Sequence, residues 1–585
     1  MELFQVTLKR GEDIQAFYDD METPGGALHI PERKVECANR RPTSRTTGYM
    51  LTVEEAKQVA ADDRVEQVVP QSIIDMSKEK EEAIFTGRFA KGIVASDYTT
   101  FTRSDGGTSQ KFTADHRNWG ILRHTESTNR ANWGGDIFGF PLPVKYQDAS
   151  VTYSASGKNV DIVIVEISTL ADHEDYASRI VDYNWGQHYN TISGGANYTY
   201  SNADARDNYD QQGDHATAVT SHAAGTLYGV AIDANIYMFD KSYESSKTGD
   251  STDYSFAYIR EFHRTKSVNP ATGRKNPTIV NVSLGATQLV LGASVGHFQG
   301  VTTDKGDGST FLSEAEIQAH AHYTSDDGYV SNTQFEVSHG IIDSDIQDAI
   351  NEGVIVVTSA GNDNRYIDEQ GGPNWDNYLV AGTNYANKDY EFAGVYPYRY
   401  YYHRGDTYSR SGGISVGSLG NLKDERKSAF SNWGPGVDVY AAGSNVIAAR
   451  KKQDISQGIP YPGQESAVGT WDTIGYGQGT SYSAPYTAGV LACLAEIYPT
   501  LTQAQATTYL RDNAVTGQMY DSAQAITVDA SDRVSIDGSN IDRILLWKNH
   551  RQTSGNMAFN TYNKDVNSRP TSGLMYPRVR TRRRG

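Results

Sequence analysis

The apolar residues of this chain fall into short runs that end at small or polar residues. Residues 160–165, 278–284 and 354–359 are rich in valine and isoleucine, and the third run leads into Ala-Gly-Asn. Such short β-branched runs are typical of strands buried inside a parallel sheet. Residues 490–495 are apolar at helical spacing, which predicts a buried helix. Together these runs predict an α/β fold.

The first 75 residues show a different pattern and predict a small separate α/β unit. Phe4, Val6 and Leu8 alternate as in a strand, and Thr52 with Glu55 forms the capping box of a helix that runs through Ala60. The other elements predicted here are a short helix at 13–21 and strands at 48–51 and 65–70.

Residues 479–489 place Ser481 where a glycine-preceded strand turns into the apolar helix. A hydroxyl at a helix N-terminus lies among free backbone N–H groups and the positive end of the helix dipole, which suits a nucleophile with an adjacent oxyanion site. The alternative is an N-cap serine before a core helix. The segment resembles the nucleophile motif of the subtilases, the subtilisin-like serine proteases.

This resemblance implies the other parts of a catalytic site, in the order acid, base, oxyanion donor and serine. The base is His215, within residues 213–225, and the oxyanion donor is Asn362. A structural histidine and an Asn in a left-handed turn are the alternative interpretations. The residues expected to pair with an extended peptide substrate are Ser283, Leu284 and Gly285 on one strand and Ser359, Ala360 and Gly361 on the next.

The acid position departs from the family, because the strand at 160–165 leads into Glu166 where the subtilases have Asp. Asp161 cannot replace it, since five residues of strand put the two about 16 Å apart and on opposite faces. Glutamate orients the histidine in some α/β-hydrolases, whereas loss of the orienting acid costs about 10⁴ in kcat. Ser168 also stands where the family has glycine. Glu166 therefore leaves two hypotheses, an active protease and a protease fold kept as a scaffold.

The resemblance implies a subtilisin-like parallel sheet flanked by helices over residues 111–516, with insertions near 287–337 and 363–410. Residues 429–443 match a further subtilase segment. Residues 1–75 resemble the subtilase propeptide, which implies that this unit occupies the substrate cleft; an accessory ferredoxin-like domain is the alternative. Residues 76–110 are predicted to be a linker, and 517–585 a polar extension with a basic tail.

The charge and composition of the chain limit the classes of partner and cofactor that are expected. A net charge of −18 disfavours nucleic acid, and the N-terminus shows no apolar signal-peptide core, so the expected location is intracellular or within a particle. No segment is long enough to span a bilayer, so a membrane is not an expected partner. The Cys37 and Cys493 contexts indicate no disulfide framework. No cofactor is indicated beyond the structural calcium that the family allows, for which no local motif is present.

The second insertion is crowded with tyrosines, including Tyr396, Tyr398, Tyr400, Tyr401 and Tyr402, which suits a protein interface. With the polar tail, this indicates an assembly partner, and the last residues faintly resemble tails on structural proteins of tailed bacteriophages. The predicted function is peptide-bond hydrolysis of protein substrates by acyl transfer. The rival is a virion or assembly protein built on the same fold, and an esterase with the same triad is a third hypothesis.

Overall fold

The structure is a computed structural model. It describes residues 1–30, 37–41, 43–70, 98–102, 108–112, 119–124, 151–153, 155–201, 212–249, 253–285, 287–289, 293–304, 334–336, 340–381, 399–420, 427–428, 430–444, 446–454, 459–460, 470–516, 519, 543–546 and 551–553.

The N-terminal unit is a four-stranded antiparallel sheet with two helices. Its elements are β1 (Glu2–Leu8), α1 (Ile14–Glu22), β2 (Cys37–Asn39), β3 (Thr46–Leu51), α2 (Val53–Ala60) and β4 (Val65–Pro70). The strand order β2-β3-β1-β4 is that of a ferredoxin-like βαββαβ unit. The capping box expected at Thr52 and Glu55 is present, and Asp13 caps α1. Strand β2 was not predicted, because its three residues show no apolar alternation.

The remaining elements follow in chain order. The strands are β5 (Tyr98–Thr102), β6 (Thr108–Phe112), β7 (Val151–Tyr153), β8 (Asp161–Glu166), β9 (Asn235–Asp240), β10 (Thr278–Val282), β11 (Thr287–Leu289), β12 (Ala293–Phe298), β13 (Val301–Asp304), β14 (Gln334–Glu336), β15 (Ile355–Ser359), β16 (Tyr378–Ala381), β17 (Arg399–Tyr401), β18 (Ile414–Leu419), β19 (Val439–Ala442), β20 (Val446–Asp454), β21 (Ile459–Pro460), β22 (Thr470–Gly477) and β23 (Arg551–Thr553). The helices are α3 (Trp119–His124), α4 (Tyr189–Ser193), α5 (Gln212–Ala224), α6 (Lys241–Thr248), α7 (Ser255–Thr265), α8 (Gly340–Asn351), α9 (Thr407–Arg410), α10 (Thr480–Ile497) and α11 (Gln503–Asn513).

A six-stranded parallel sheet of order β19-β18-β15-β10-β8-β9 forms the centre of the larger α/β domain. Alternate residues of β8 point to opposite faces. Ile162 and Ile164 pack in the core that contains α5 and α10, and Val163 and Val165 pack in the core that contains α7 and α8. Both faces of the sheet are therefore covered, as a parallel sheet requires. This confirms the subtilisin-like α/β fold expected from the sequence.

Helices α5 and α10 approach each other closely. A Cβ atom at Gly489 of α10 would lie 2.6 Å from the carbonyl oxygen of Ala223 and 2.7 Å from the side chain of Val230. Only glycine fits at this crossing without displacing backbone, so the residue sets how near the two helices can lie. Helix α5 carries His215 and α10 carries Ser481, so this contact packs together the two helices that carry the predicted base and nucleophile.

The N-terminal unit docks on helices α7 and α8 through polar groups. The Arg41 guanidinium pairs with the Asp345 carboxylate, and both side chains are fully buried, 0% and 1% exposed. Ser44 Oγ donates to Asp345 Oδ1 at 2.7 Å, and Arg260 Nη1 donates to the Thr43 carbonyl oxygen at 2.8 Å. The segment that follows β4 lies outside the described residues, so occupation of the substrate cleft by this unit stays a prediction.

The extension predicted to begin at residue 517 includes a segment that packs in the hydrophobic core on one face of the central sheet. Ile544 bridges to Val515 and to Tyr440 of β19, and Leu545 N donates to the Tyr440 oxygen at 2.8 Å. Residues 544–546 are buried. The domain boundary at residue 517 stays a prediction, but this part of the extension packs against the central sheet. A short apolar run gives no sequence sign of the strand that it contacts.

Some predicted interface residues are described and others are not. Tyr402 is buried and its hydroxyl donates to the His297 carbonyl oxygen at 3.1 Å, so this tyrosine packs within the chain. The Tyr401 ring lies beneath the Arg404 guanidinium, 3.5 Å from ring centroid to Cζ. The structure does not describe Tyr396, Tyr398 or the basic tail. It also does not describe the predicted linker, apart from residues 98–102 and 108–110.

None of the helices in the described part combines the length and apolar character that a bilayer crossing requires.

We expect acid to weaken the attachment of α3 to the core through His124. This buried ring accepts from Ala442 N through Nε2 at 2.9 Å, and its Nδ1 lies 2.9 Å from the Leu545 carbonyl oxygen, to which it donates. Burial, helped by the Arg123 charge, lowers the His124 pKa to about 3. The unfolded chain takes up this proton below about pH 6.5, so stability present above that pH is lost as the pH falls, by about 2 kcal/mol at pH 5.

Urea unfolding followed by tryptophan fluorescence at pH 7 and pH 5 tests this expectation. The His124→Gln variant keeps a donor and an acceptor but does not titrate, so its unfolding free energy should fall less between the two pH values than that of the wild type. Equal falls in both proteins would contradict a role for His124.

Candidate active site

Glu166 and His215 form a buried pair at the carboxyl end of the central sheet. Glu166 is the last residue of β8, and His215 lies in the first turns of α5. His215 Nδ1 donates to Glu166 Oε2 at 3.1 Å, with the Glu166 side chain 1% and the His215 side chain 16% exposed. A carboxylate at Nδ1 fixes the tautomer that carries its proton there, which leaves Nε2 as the basic nitrogen. The glutamate therefore reaches the histidine.

The turn after Glu166 is held by Asp240, which lies opposite Glu166 on β9. Asp240 Oδ2 accepts from Thr169 N at 3.0 Å, and Oδ1 accepts from Tyr243 N at 3.0 Å, which caps α6. Burial raises the pKa of Asp240 despite these bonds. Within this turn Ser168 adopts φ 57°, a left-handed conformation that favours glycine.

We expect the Ser168→Gly variant to be more stable than the wild type. A left-handed backbone costs a non-glycine residue about 1–2 kcal/mol, and the extra freedom of glycine in the unfolded chain offsets about 0.4–1 kcal/mol of that gain. The net increase in unfolding free energy should be about 0.5–1 kcal/mol, measured by urea denaturation. Ser168→Ala is the matched control, because alanine keeps the backbone strain. A gain in the alanine variant instead of the glycine variant would show that the backbone is not the cause.

Ser481 lies in the first turn of α10, two residues after Gly479. Gly479 has φ 149°, and the helix begins at Thr480. The Ser481 hydroxyl donates to the Ser283 carbonyl oxygen at 3.3 Å, and Ser283 Oγ donates back to the Ser481 carbonyl oxygen at 2.9 Å. The hydroxyl proton thus points towards β10 rather than His215. Catalytic hydrogen bonds are often long or misaligned before substrate binds, and rotation about the Ser481 Cα–Cβ bond redirects this one.

Asn362 is anchored beside the nucleophile by its side-chain oxygen. Its Oδ1 accepts from Thr480 N at 2.8 Å and from Thr480 Oγ1 at 2.9 Å. Gly361, with φ 99°, makes the turn that brings the asparagine there from β15. Because the oxygen is engaged, the amide nitrogen is the end left to donate to a substrate oxygen. Thr480 was not among the predicted site residues, although its place directly before Ser481 was the available signal.

The two predicted peptide-binding segments differ in whether their backbone N–H and C=O groups are already hydrogen-bonded within the chain. The sheet pairing of β10 ends at Val282, so Ser283, Leu284 and Gly285 continue beyond the ladder. Backbone that leaves a sheet in this way can pair with an added strand. On the second segment, Ala360 N donates to Val416 and the Gly361 oxygen accepts from Asn432 N, while Ser359 pairs with β18. The first segment is thus the better placed to receive a peptide.

We expect Asn362→Leu to lower kcat while leaving KM nearly unchanged. Loss of an oxyanion donor in subtilisin costs about 10²–10³ in kcat, because the donor acts on charge that exists only in the transition state. Steady-state kinetics with a chromogenic peptide measures both constants. The neighbouring Asp363→Asn variant should keep the wild-type kcat. An Asn362→Leu variant with normal kcat would remove Asn362 from the site.

Comparison with known proteins identifies the family of this chain. The model of the subtilase family matches residues 157–540, which is more than half of the chain and includes each of the four predicted catalytic residues. The chain belongs to the subtilase family. Subtilisin-like protease 1 of Trichophyton rubrum is 23% identical over 375 residues, covering 63% of this chain and 47% of that protein. The protein of the same name from Trichophyton verrucosum is 39% identical over 80 residues, 14% of this chain and 15% of its own length.

The chain therefore spans less than half the length of these two relatives. Among solved structures, fervidolysin from Fervidobacterium pennivorans, a keratinolytic enzyme related to subtilisin, has a TM-score of 0.45 and 16% identity, with 88% of this chain and 57% of that chain covered. A cold adapted subtilisin-like serine proteinase has a TM-score of 0.38 and 18% identity, with 74% and 98% covered. Family membership rests on the match over residues 157–540.

Calcium is the one ion that the resemblance implied for this subtilase. Within the described ranges, no group of three or more His, Cys, Asp or Glu side chains is placed to hold an ion. We assign no step and no residue to calcium.

Proposed function

We propose that this subtilase is a serine endopeptidase that cleaves protein substrates through an acyl-enzyme. The observation that carries the proposal is the 3.1 Å hydrogen bond between His215 Nδ1 and the buried Glu166 carboxylate. This bond supports the proposal, because an orienting acid is useful only when it reaches the imidazole. Glutamate in place of aspartate is compatible with this geometry.

The residues take the following roles in the proposed reaction. His215 Nε2 accepts the proton of Ser481, and Ser481 Oγ attacks the carbonyl carbon of the scissile bond. The oxyanion of the tetrahedral intermediate receives hydrogen bonds from Asn362 Nδ2 and from the backbone N–H of Ser481. The imidazolium then protonates the leaving amine, and water hydrolyses the acyl-enzyme by the same steps. Throughout, Glu166 holds the ring and stabilises its positive charge.

A fluorophosphonate probe tests the proposal directly, because it reacts only with an activated serine. We expect the wild type to be labelled and Ser481→Ala not to be labelled. Ser483→Ala is the matched control: this serine lies on the same helix, with its hydroxyl bonded to the Ala441 carbonyl oxygen at 3.0 Å, and its loss should not prevent labelling. Hydrolysis of a peptide, compared with a simple ester, then separates a protease from an esterase. A folded wild type that stays unlabelled would refute the proposal.

The second candidate is an assembly protein that keeps the subtilase fold without its chemistry. The observation that favours it is the fully buried Ser481 side chain, whose hydroxyl donates to Ser283 rather than to His215. An unlabelled protein that assembles into particles or binds a partner through its tyrosine-rich insertion would support this function. Labelling of Ser481 excludes a purely structural role.

A further inference from the structure

Arg450 of β20 has a buried side chain that contacts both catalytic helices. Its Nη1 atom donates to Asp214 Oδ2 at 3.1 Å and to the Tyr482 hydroxyl at 3.3 Å, and its Nη2 donates to the Tyr476 carbonyl oxygen. The guanidinium carbon lies 5.6 Å from the centroid of the Tyr482 ring. A guanidinium has five donors in a fixed plane, so one side chain can bind acceptors on three elements at once.

The residues that Arg450 binds are the chain neighbours of the catalytic pair. Asp214 precedes His215 on α5, and Tyr482 follows Ser481 on α10. The other Asp214 oxygen accepts from Lys451 N at 2.8 Å, so β20 holds this carboxylate through two bonds. The His215 and Tyr482 rings are themselves in contact, with centroids 5.6 Å apart. Arg450 thus joins the starts of the two helices whose separation decides whether Ser481 can pass its proton to His215.

We propose that Arg450 is a positioning residue that fixes the starts of α5 and α10 relative to each other and balances the Asp214 charge beside His215. This role rests on the proposed protease function of the same site. Nothing in the sequence pattern of β20 indicates it, because the partners lie 236 and 32 residues away along the chain.

The charge balance has a measurable consequence for His215. Glu166 on β8 and the Tyr482 ring on α10 contact His215 directly. Asp214 is its neighbour on the same helix, and Arg450 on β20 binds both Asp214 and Tyr482. Removing the Arg450 charge takes away the ion-pair partner of Asp214, the residue before His215 in the chain, and an uncompensated carboxylate nearby favours the imidazolium. The pKa of His215 should therefore rise when Arg450 is replaced by a neutral residue.

Four proteins separate the two parts of the proposal: the wild type, Arg450→Met, Arg450→Lys and the double variant Asp214→Asn/Arg450→Met. His215 is titrated by NMR with histidine labelled at Cε1, assigned by loss of its signal in His215→Gln. We expect Arg450→Met to raise the His215 pKa by about one unit and the double variant to return it to the wild-type value. Arg450→Lys should leave the pKa unchanged, since lysine keeps the charge.

Measurements of kcat and KM then test whether Arg450 positions the two helices. We expect kcat to fall about tenfold to a hundredfold in Arg450→Met, in Arg450→Lys and in the double variant, with little change in KM, because small misplacements of catalytic groups carry costs of this size. An unchanged His215 titration in Arg450→Met, or full activity in Arg450→Lys, would overturn the proposal.

The double variant buries no unpaired charge, so it remains informative if Arg450→Met fails to fold. The NMR titration does not require turnover, so it tests Arg450 even if the fluorophosphonate experiment rejects the protease. A normal titration with a labelled wild type would reject the role of Arg450 alone.

Discussion

Replacing His215 by alanine is expected to lower kcat by about 10⁶-fold, a loss that removal of the Ser481 hydroxyl should match. In subtilisin, removal of the base alone costs about 2 × 10⁶ in kcat, because the serine then has no group to take its proton. That factor corresponds to about 8–9 kcal/mol of transition-state stabilisation. Because His215 Nδ1 is bonded to the Glu166 carboxylate, Nε2 is the ring nitrogen that can accept the serine proton. Single-turnover hydrolysis of an activated peptide ester is sensitive enough to measure the small activity that remains.

His222 provides a matched control two turns further along the same helix. Its ring is fully buried against Tyr486 and Tyr482, at centroid distances of 4.7 and 5.4 Å, and burial holds its pKa well below the usual value for histidine. His222→Phe keeps the aromatic packing and should keep the catalytic rate. A large loss of kcat in His222→Phe together with a small loss in His215→Ala would show that His215 is not the base.

Replacing Glu166 by glutamine is expected to lower kcat by about 10⁴-fold, or about 5.5 kcal/mol. A neutral amide at this place can stabilise the wrong histidine tautomer, and it offers no charge to the imidazolium that forms during attack. The effect should appear in kcat rather than in KM, since the carboxylate acts on a charge absent from the ground state. Steady-state kinetics from pH 6 to pH 9 separates this loss from a simple change in the protonation of His215.

The Glu166→Asp variant tests why this chain carries glutamate. Aspartate is shorter by one bond of about 1.5 Å, so its carboxylate would withdraw from a His215 nitrogen that now lies 3.1 Å away. We therefore expect the aspartate variant to be slower than the wild type, although aspartate is the usual acid of the family. A faster aspartate variant would mean that glutamate impairs the natural protein and would favour the assembly function.

Much of the catalytic architecture was predictable because its signals are local. Gly479 before Ser481 and the small residues after it define a strand-to-helix turn within a dozen residues, and Thr52 with Glu55 defines a helix start within four. The family resemblance then orders the acid, base and donor along the chain. Whether Glu166 reaches His215 stayed open, because the extra methylene of glutamate changes where the carboxylate lies and only the packed structure gives that position.

The features that the sequence did not reveal depend on partners far apart in the chain. In the sequence, Arg450 looks like any charged strand residue and Arg41 like any surface arginine. Only the structure shows the buried acceptors that they bind. Residues 544–546 look like an isolated apolar run, since the strand β19 that they join lies about a hundred residues earlier. Local pattern predicts elements, whereas these contacts follow from how the elements pack.

The buried pairing of Arg41 with Asp345 bears on how this protein would mature. Cleavage of the chain between the N-terminal unit and the catalytic domain would remove the covalent link but none of the bonds to α7 and α8. Separating the two pieces would still require both charges to be rehydrated apart, so we expect them to travel together through gel filtration and to part only on a denaturing gel. Loss of the covalent link alone would therefore not release the N-terminal unit.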